Sequence, residues 1–367
     1  MYTVKGARET LDSLAENRSN NFDFLRFFAA TLVILSHSFP IAGQSFEPFA
    51  FLTKYDTFGA FAVEMFFIMS GFLIAKSWAD HQRSGAFIGK RVVRIFPALV
   101  AATLFGIFVI GFLFTSLSKK QYFTDPQTWY YLYNITLFKT VYALPGVFLT
   151  NPLPIAVNGS LWTLPYEFIM YLVVLFFGLV GFLKKKWLMV ALVIFLALLQ
   201  FLLLNQHQYE VFRIDQIVLP WLNNLAVLFL TGTLMFLFRK KIPLDYRLAI
   251  FLLAIYLLSF RQPVYPFVKY ISLPYLVLFV ANMNLGKLRN FGKYGDFSYG
   301  MYVYAFPIQQ AVASYFPGIG IRGIFAYALP ITFMLSFISW HIIEKPSLAY
   351  KRYFNKDRYP IIRSDNY

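Results

Sequence analysis

The sequence predicts an all-α protein, a polytopic transmembrane helical bundle of about ten spans. Of its 367 residues, 59% are hydrophobic and only 14% are charged, whereas soluble domains carry about 25% charged residues. Mean hydropathy is +0.58 over the whole chain. Apolar runs long enough to cross a bilayer alternate with short basic stretches. These observations exclude a water-soluble globule.

The ten predicted spans follow from length and polarity. A hydrocarbon core about 30 Å thick requires about 20 mostly apolar residues per helix. Segments of this kind occupy residues 22–42, 58–78, 95–116, 161–183, 187–205, 217–238, 248–260, 270–285, 298–316 and 323–343. Between the third and fourth spans lies a long segment, 117–160, rich in Tyr, Trp and Pro, for which we expect a structured lid or an interfacial helix.

The basic residues predict the orientation. Most of the 33 Lys and Arg residues fall in the N-terminal segment, the C-terminal tail and the loops on the same side as both. Because cytoplasmic loops are enriched in Lys and Arg, both termini are expected in the cytoplasm. Residues 22–343 then form the membrane domain, between cytoplasmic segments 1–21 and 344–367. Topology also explains the formal charge of +16, so no nucleic-acid partner is expected.

The first predicted span contains three ionisable residues, Asp23, Arg26 and His37. Such residues are costly in a bilayer, by about 2.5–3.5 kcal/mol on insertion scales, so each invites a functional interpretation. Arg26 and His37 share a helix face to within about 20° and lie about 16 Å apart along the axis. One elongated ligand would reach both. An interfacial anchor and a hydrogen-bonded core histidine would explain the same pattern.

A second basic feature precedes the third span. Arg91 and Arg94 are one helical turn apart in GKRVVRIFP and are therefore neighbours on a surface. Two guanidinium groups suit a phosphate, because each presents a planar fork of donors to its oxygens. From this segment alone, simple positive-inside anchoring is the favoured explanation.

Acidic and small polar residues mark the second and fourth spans. Glu167, in NGSLWTLPYEF, is expected about one turn inside the hydrocarbon, at a depth comparable with His37. A helix-start cap would explain that motif apart from the depth of Glu167. Glu64 and Ser70 lie in FAVEMFFIMSGFLI, where Ser70-Gly71 is also typical of a close helix contact. The chain contains no Cys, which excludes thiolate metal sites, disulfides and cysteine nucleophiles.

At these residues the sequence resembles the acyltransferase-3 family, polytopic bacterial membrane O-acyltransferases that modify glycans and other surface or secreted molecules. FDFLRFFAATLVILSH contains the family's Arg, ten residues, His arrangement, and Arg91 with Arg94 matches its Arg-x-x-Arg. FFIMSGFLI, SLWTLPYEF, SYGMYVYAFP and EKP extend the resemblance along the chain. It departs where many members have a second His, since this chain has Tyr304-Ala305-Phe306-Pro307 there.

The resemblance implies transfer of an acyl group, most often acetyl, from cytoplasmic acyl-CoA to a hydroxyl at the outer side of the bacterial inner membrane. His37 would be the general base or carry the acyl group as an acyl-imidazole, and Glu167 or Asp23 would orient its ring. The residues expected to bind acetyl-CoA are Arg26, Arg91, Arg94 and Ser70. Those expected to bind a carbohydrate or other hydroxyl-bearing acceptor are Trp162, Tyr166 and Glu64. No metal is implied.

A transporter or flippase of an anionic lipid or glycan is the alternative from another functional class. The same arginines would then bind substrate phosphate, and His37 would relay protons. The sequence has no internal repeat, which counts against a transporter built from two matched halves.

Overall fold

A computed structural model describes residues 9–17, 19–205, 213–214 and 217–355. Its long helices, labelled in chain order, are α1 Phe22–Ile41, α2 Phe58–His81, α3 Ser84–Phe105, α4 Thr163–Leu179, α5 Lys186–Asn205, α6 Leu219–Leu237, α7 Tyr246–Leu258, α8 Tyr265–Asn282, α9 Ser298–Tyr315 and α10 Gly320–Ser339. Two short strands, β1 Arg213–Ile214 and β2 Ile217–Val218, pair antiparallel before α6. The predicted all-α class is confirmed.

Shorter helical pieces complete the described chain. The α-helical ones are Leu11–Glu16, Pro48–Thr53, Phe112–Phe114, Lys119–Thr124, Pro126–Tyr130, Lys345–Ala349 and Lys351–Asn355. Turns of 3₁₀-helix occupy Tyr131–Thr136, Gly159–Trp162, Phe182–Lys184 and Gly286–Lys293. Turns of π-helix, at Gly106–Gly111 and Trp340–Glu344, extend α3 and α10.

Each predicted span contains one of the labelled helices. Within the described ranges, seven helical segments are long and apolar enough to cross a membrane: Phe22–Ile41, Phe58–His81, Ser84–Phe114, Gly159–Leu179, Lys186–Leu203, Leu219–Leu237 and Gly320–Phe354. Helix α8 and Gly286–Lys293 form a further pair, bent by 88°. The count of ten spans and the cytoplasmic position of both termini stay predictions. Residues 1–8, 18 and 356–367 of the two predicted cytoplasmic segments lie outside the described residues.

Two helices begin at least five residues earlier than predicted. Helix α3 begins at Ser84 rather than at residue 95, which places Arg91 and Arg94 inside the helix. Helix α8 begins at Tyr265 rather than at residue 270 and therefore includes Lys269. The predicted spans begin directly after these charged residues. In the structure, neighbouring aromatic rings and carboxylates contact the side chains of Arg91, Arg94 and Lys269 inside the bundle.

Close packing between α2 and α6 shapes the centre of the bundle. A Cβ at Gly71 would overlap the carbonyl of Phe229, and a Cβ at Gly232 would overlap the carbonyl of Ile68. Thr233 Oγ1 donates to the Gly71 carbonyl at 3.1 Å. The close helix contact predicted at Gly71 is confirmed.

The segment predicted as a structured lid folds around its own apolar core. Tyr122 and Tyr131 are fully buried there, and Tyr122 OH donates to the Ile107 carbonyl at 3.0 Å. Asn151 Nδ2 donates to Gln310 Oε1 at 2.8 Å, which ties this segment to α9. The expectation of ordered structure between the third and fourth spans is confirmed.

Candidate active site

A cavity of about 310 Å³ lies between α1, α2, α3, α4 and α9, and we call it the arginine cavity. Its polar lining consists of Arg26, Ser70, Ser77, Arg91, Arg94, Thr163, Glu167, Tyr171, Asp296, Ser298, Tyr299, Tyr302 and Lys351. Four of these side chains are basic, and they come from the first turns of α1, from the first half of α3 and from the segment after α10. The tertiary fold therefore brings Arg26, Arg91 and Arg94 together as predicted.

Asp296 organises two of the arginines. Its Oδ2 accepts from Arg94 Nη2 at 2.6 Å and lies 3.9 Å from Arg26 Nη1. Burial acts to raise the pKa of the Asp296 carboxyl, but Arg94 and Arg26 outweigh burial and hold that pKa below its usual value. Asp296 therefore remains a carboxylate at neutral pH. Sequence reasoning missed this residue, although its position two residues before the SYG motif marks it as the acid at the start of α9.

Arg94 also contacts the acidic residue of the EKP motif. Its Nη1 lies 3.8 Å from Glu344 Oε2, and Ser339 Oγ donates to Glu344 Oε1 at 3.1 Å. Glu344 therefore pairs with the basic group at this end of the bundle. Arg94 thus contacts two carboxylates, those of Asp296 and Glu344.

Arg91 differs from its neighbours in having unused donors. Its Nε and Nη2 are buried and have no hydrogen-bond partner among the described residues. The guanidinium packs over the rings of Phe87 and Tyr171, at 4.9 Å and 5.7 Å from their centroids. Because a buried N–H without a partner is costly, these two nitrogens favour an acceptor that the chain itself does not supply.

Glu167, on α4, also lines the arginine cavity. Its Oε1 accepts hydrogen bonds from Ser70 Oγ, at 3.3 Å, and from Tyr171 OH. This carboxylate oxygen is therefore hydrogen-bonded to side chains of α2 and α4 rather than to His37 of α1. Ser70, predicted to bind the donor, and Glu167, predicted to orient His37, are thus hydrogen-bonded to each other, and their roles stay predictions.

His37 does not line this cavity but lies close to it. Its ring meets Phe306 edge to face, with centroids 5.1 Å apart, and its Nδ1 is buried without a hydrogen-bond partner in the described chain. Tyr302, which lines the cavity, precedes Phe306 by about one turn of α9. His37 is therefore next to the end of the cavity that is remote from the arginines.

Asp23 is not placed to orient the imidazole. It lies about 21 Å from His37 along the axis of α1, at 1.5 Å per residue. Its Oδ1 accepts from Arg26 Nη1 at 3.3 Å. Asp23 therefore belongs to the arginine group, which corrects the alternative that it holds the histidine ring.

The predicted acceptor residues lie around a different space. Trp162 and Glu64 line a second cavity of about 590 Å³, where Glu64 Oε1 accepts from Lys269 Nζ at 2.5 Å. Tyr166 is buried beside Trp162, and its OH accepts from the Val218 N–H at 2.9 Å. Lys269 was missed because sequence analysis placed it outside the eighth span. The sequence feature that could have indicated Lys269 was Glu64, a carboxylate inside a predicted span that needs a cationic partner.

Apolar helices that enclose a basic cavity define a multi-pass membrane protein with a polar site inside the bundle. A family model described as an acyltransferase domain matches residues 19–343. The chain belongs to the acyltransferase-3 family and is an acyltransferase. The resemblance carried by the sequence motifs is thereby confirmed.

Two relatives indicate the range of similarity. The O-acetyl transferase of Shigella phage Sf6 is 32% identical over 354 residues, which cover 91% of this chain and 97% of that protein. Nodulation protein 10 of Rhizobium leguminosarum bv. viciae is 33% identical over 167 residues, 42% of each chain. Comparison with solved structures gives no match.

Proposed function

We propose that this protein is a membrane O-acetyltransferase of the bacterial inner membrane. It takes an acetyl group from cytoplasmic acetyl-CoA and transfers it to a hydroxyl of a glycan or other surface acceptor on the outer side. Family membership supports acyl transfer. Similarity to an O-acetyl transferase along nearly the whole of both chains supports acetyl as the group and oxygen as the acceptor atom.

The observation that carries the proposal is the pair of unpartnered nitrogens on Arg91 inside a cavity with three other cations. Arg26 and Arg94 are already neutralised in part by Asp296, whereas Arg91 retains free donors for a ligand. A phosphate satisfies such a fork of N–H groups in a bidentate manner. Coenzyme A carries phosphates at one end, so this end of the cavity suits its nucleotide portion.

The shape of the arginine cavity suits the rest of the donor. From the arginines it continues past Phe66 to Thr163 and Tyr302, which are hydrogen-bonded to each other at 2.5 Å. This far end lies beside Phe306 and hence beside His37. A long flexible thioester arm that enters from the arginines therefore points its acyl group toward the imidazole.

His37 then accepts the proton of the acceptor hydroxyl. The hydroxyl oxygen attacks the thioester carbon, the carbon–sulfur bond breaks, and the imidazolium returns its proton to the thiolate. An imidazole suits this exchange because its unperturbed pKa lies near neutrality. Passage through an acyl-imidazole uses the same residue and remains an alternative order of steps.

The experiment uses purified protein in liposomes with radiolabelled acetyl-CoA and surface glycans that mild base has freed of esters. Label is expected to move to the glycan as base-labile acetate. A transporter of an anionic lipid or glycan would instead move its substrate across the vesicle and leave the label in acetyl-CoA. The latter result would overturn the proposed function.

A further inference from the structure

The segment after α10 packs back against the bundle and lines the arginine cavity. Its two short helices, Lys345–Ala349 and Lys351–Asn355, both contact α3. Gly89 of α3 permits this close approach, because a Cβ there would lie only 2.6 Å from the ring of Phe354. Lys351, one helical turn before Phe354, lines the cavity. Sequence analysis placed this lysine in a cytoplasmic tail and gave it no role.

Lys351 is one of two cations in the cavity that pair with no carboxylate of the described chain. The carboxylates beside the cavity contact Arg26 and Arg94. No such ion pair joins Arg91 or Lys351 to a carboxylate within the described ranges. The Lys351 ammonium is also repelled by the nearby Arg91 and Arg94 guanidinium groups. Because like charges held close together in a poorly solvated site are costly, this arrangement favours a ligand with more than one negative charge.

A neighbouring cavity is less suitable for such an anion. This third cavity, of about 780 Å³, adjoins the arginine cavity at Arg26, which lines both. Its charged lining consists of four acidic and three basic side chains: Asp12, Glu16, Asp23, Asp80, Arg26, Lys76 and Arg239. Each basic side chain contacts one of these carboxylates, at 2.7, 3.2 or 3.3 Å. A phosphate would therefore meet an excess of carboxylates there and no unpaired cation among the described lining residues.

The two unpaired cations differ in accessibility. Arg91 Nε and Nη2 are buried in the wall of the cavity, whereas the Lys351 side chain is half-buried and therefore easier to reach from solvent. The proposed donor carries two kinds of phosphate in a matching order. Its diphosphate joins the thioester arm, and its 3′-phosphate, on the ribose, lies farther from the acyl group. A phosphomonoester carries about −1.5 to −2 charges near neutral pH, which suits the compact charge of an ammonium.

We propose that Lys351 binds the 3′-phosphate of the donor nucleotide and makes the enzyme selective for acetyl-CoA over its 3′-dephospho form. The diphosphate accepts from Arg91, and the 3′-phosphate supplies the negative charge that Lys351 lacks within the described chain. This inference rests on the function proposed above and adds a specificity-determining residue from the segment after α10.

The test measures the affinity of purified protein for acetyl-CoA and for 3′-dephospho-acetyl-CoA by calorimetry. Wild type is expected to bind acetyl-CoA at least about tenfold more tightly, because only acetyl-CoA offers the charged hydrogen bond to Lys351. Lys351→Met removes the charge and keeps an apolar stem. It is expected to lose most of this preference while its affinity for the dephospho donor stays within about twofold of wild type. Lys351→Arg, which retains the charge, is expected to keep the preference.

Two further variants separate this role from others. Arg91→Ala is expected to weaken both donors by the same factor, because both carry the diphosphate. Arg352→Ala is the matched control, because Arg352 is an exposed cation next to Lys351 in the chain and lies outside the arginine cavity. Both affinities are expected to be unchanged in Arg352→Ala.

The outcomes distinguish the 3′-phosphate site from the proposed function. Equal affinity of wild type for the two donors, or equal weakening of both by Lys351→Met, would overturn the site alone. Absence of acetyl-CoA binding by wild type, together with absence of acetyl transfer in the liposome assay, would instead overturn the proposed function and this inference with it.

Discussion

Arg94 donates from Nη2 to Asp296 Oδ2 at 2.6 Å, and this contact joins α3 to the start of α9 inside the membrane domain. Arg26 approaches the same carboxylate oxygen, at 3.9 Å. Asp296 thus contacts two of the three predicted phosphate-binding arginines, and of these three only Arg91 has buried nitrogens without a hydrogen-bond partner among the described residues.

Replacement of Asp296 should destabilise the protein. We expect Asp296→Asn to cost about 3 kcal/mol, because it leaves two partly buried arginines with less compensating charge. The control is Asp23→Asn, whose side chain is 40% exposed and whose pair with Arg26 should contribute less than about 1 kcal/mol. Thermal unfolding in detergent measures both, and equal melting temperatures for the two variants would contradict the assigned role.

The same pair predicts a pH dependence. The folded-state pKa of Asp296 is below its usual value, since Arg94 and Arg26 outweigh the effect of burial. Its contribution to stability is therefore complete above the unfolded pKa of about 3.9 and is lost as the pH falls through the lower folded value. Comparing unfolding of wild type and Asp296→Asn from neutral to acid pH measures this. A difference that disappears well above pH 4 would contradict it.

Arg91 should govern donor affinity. Arg91→Ala is expected to weaken acetyl-CoA binding by about 1.5–3 kcal/mol for each charged hydrogen bond lost. Arg322→Ala is the matched control, because Arg322 is an exposed arginine near the start of α10 and outside the arginine cavity. Calorimetry with acetyl-CoA distinguishes the two. Equal affinities would return Arg91 to the role of a topology anchor.

His37 should govern the chemical step. His37→Ala is expected to reduce acetyl transfer by about 10²–10⁴-fold, the usual contribution of general acid–base catalysis, while acetyl-CoA affinity is unchanged. His341→Ala is the control, because His341 is exposed and its Nδ1 lies 2.9 Å from the carbonyl of Phe337. Near-normal transfer by a folded His37→Ala protein would exclude this histidine as base or acyl carrier.

The separation of Arg26 and His37 along α1 predicts that the donor and the acceptor are used from opposite sides of the membrane. In sealed vesicles of known orientation, acetyl-CoA should be consumed only from the face that bears Arg91 and Arg94. The acetylated acceptor should accumulate only at the opposite face. The physical reason is that phosphates entering hydrocarbon would expose several charges at a cost of kilocalories each, whereas a neutral acetyl thioester crosses more readily. Efficient use of acceptor supplied only on the donor side would rule out this arrangement.

The positions of the helices were largely predictable from residue order. Each apolar run of suitable length contains a helix, because a chain in hydrocarbon must satisfy its backbone hydrogen bonds within the segment. The boundaries of α3 and α8 were less predictable. Whether a helix continues past Arg94 or Lys269 depends on partners such as Asp296 and Glu64 that are remote in the chain.

By itself the sequence determined the helical class, the alternation of basic and apolar segments, and the spacing that puts Arg26 and His37 on one face of α1. These features are local, since they depend on the 3.6-residue period and on which side chains hydrocarbon accepts. Tertiary structure alone decided that Glu167 bonds Ser70 and Tyr171 rather than His37, and that Asp296 joins Arg26 to Arg94. Such pairings are set by which helices pack side by side, and a charge buried there is tolerated only where the neighbouring helix supplies its partner.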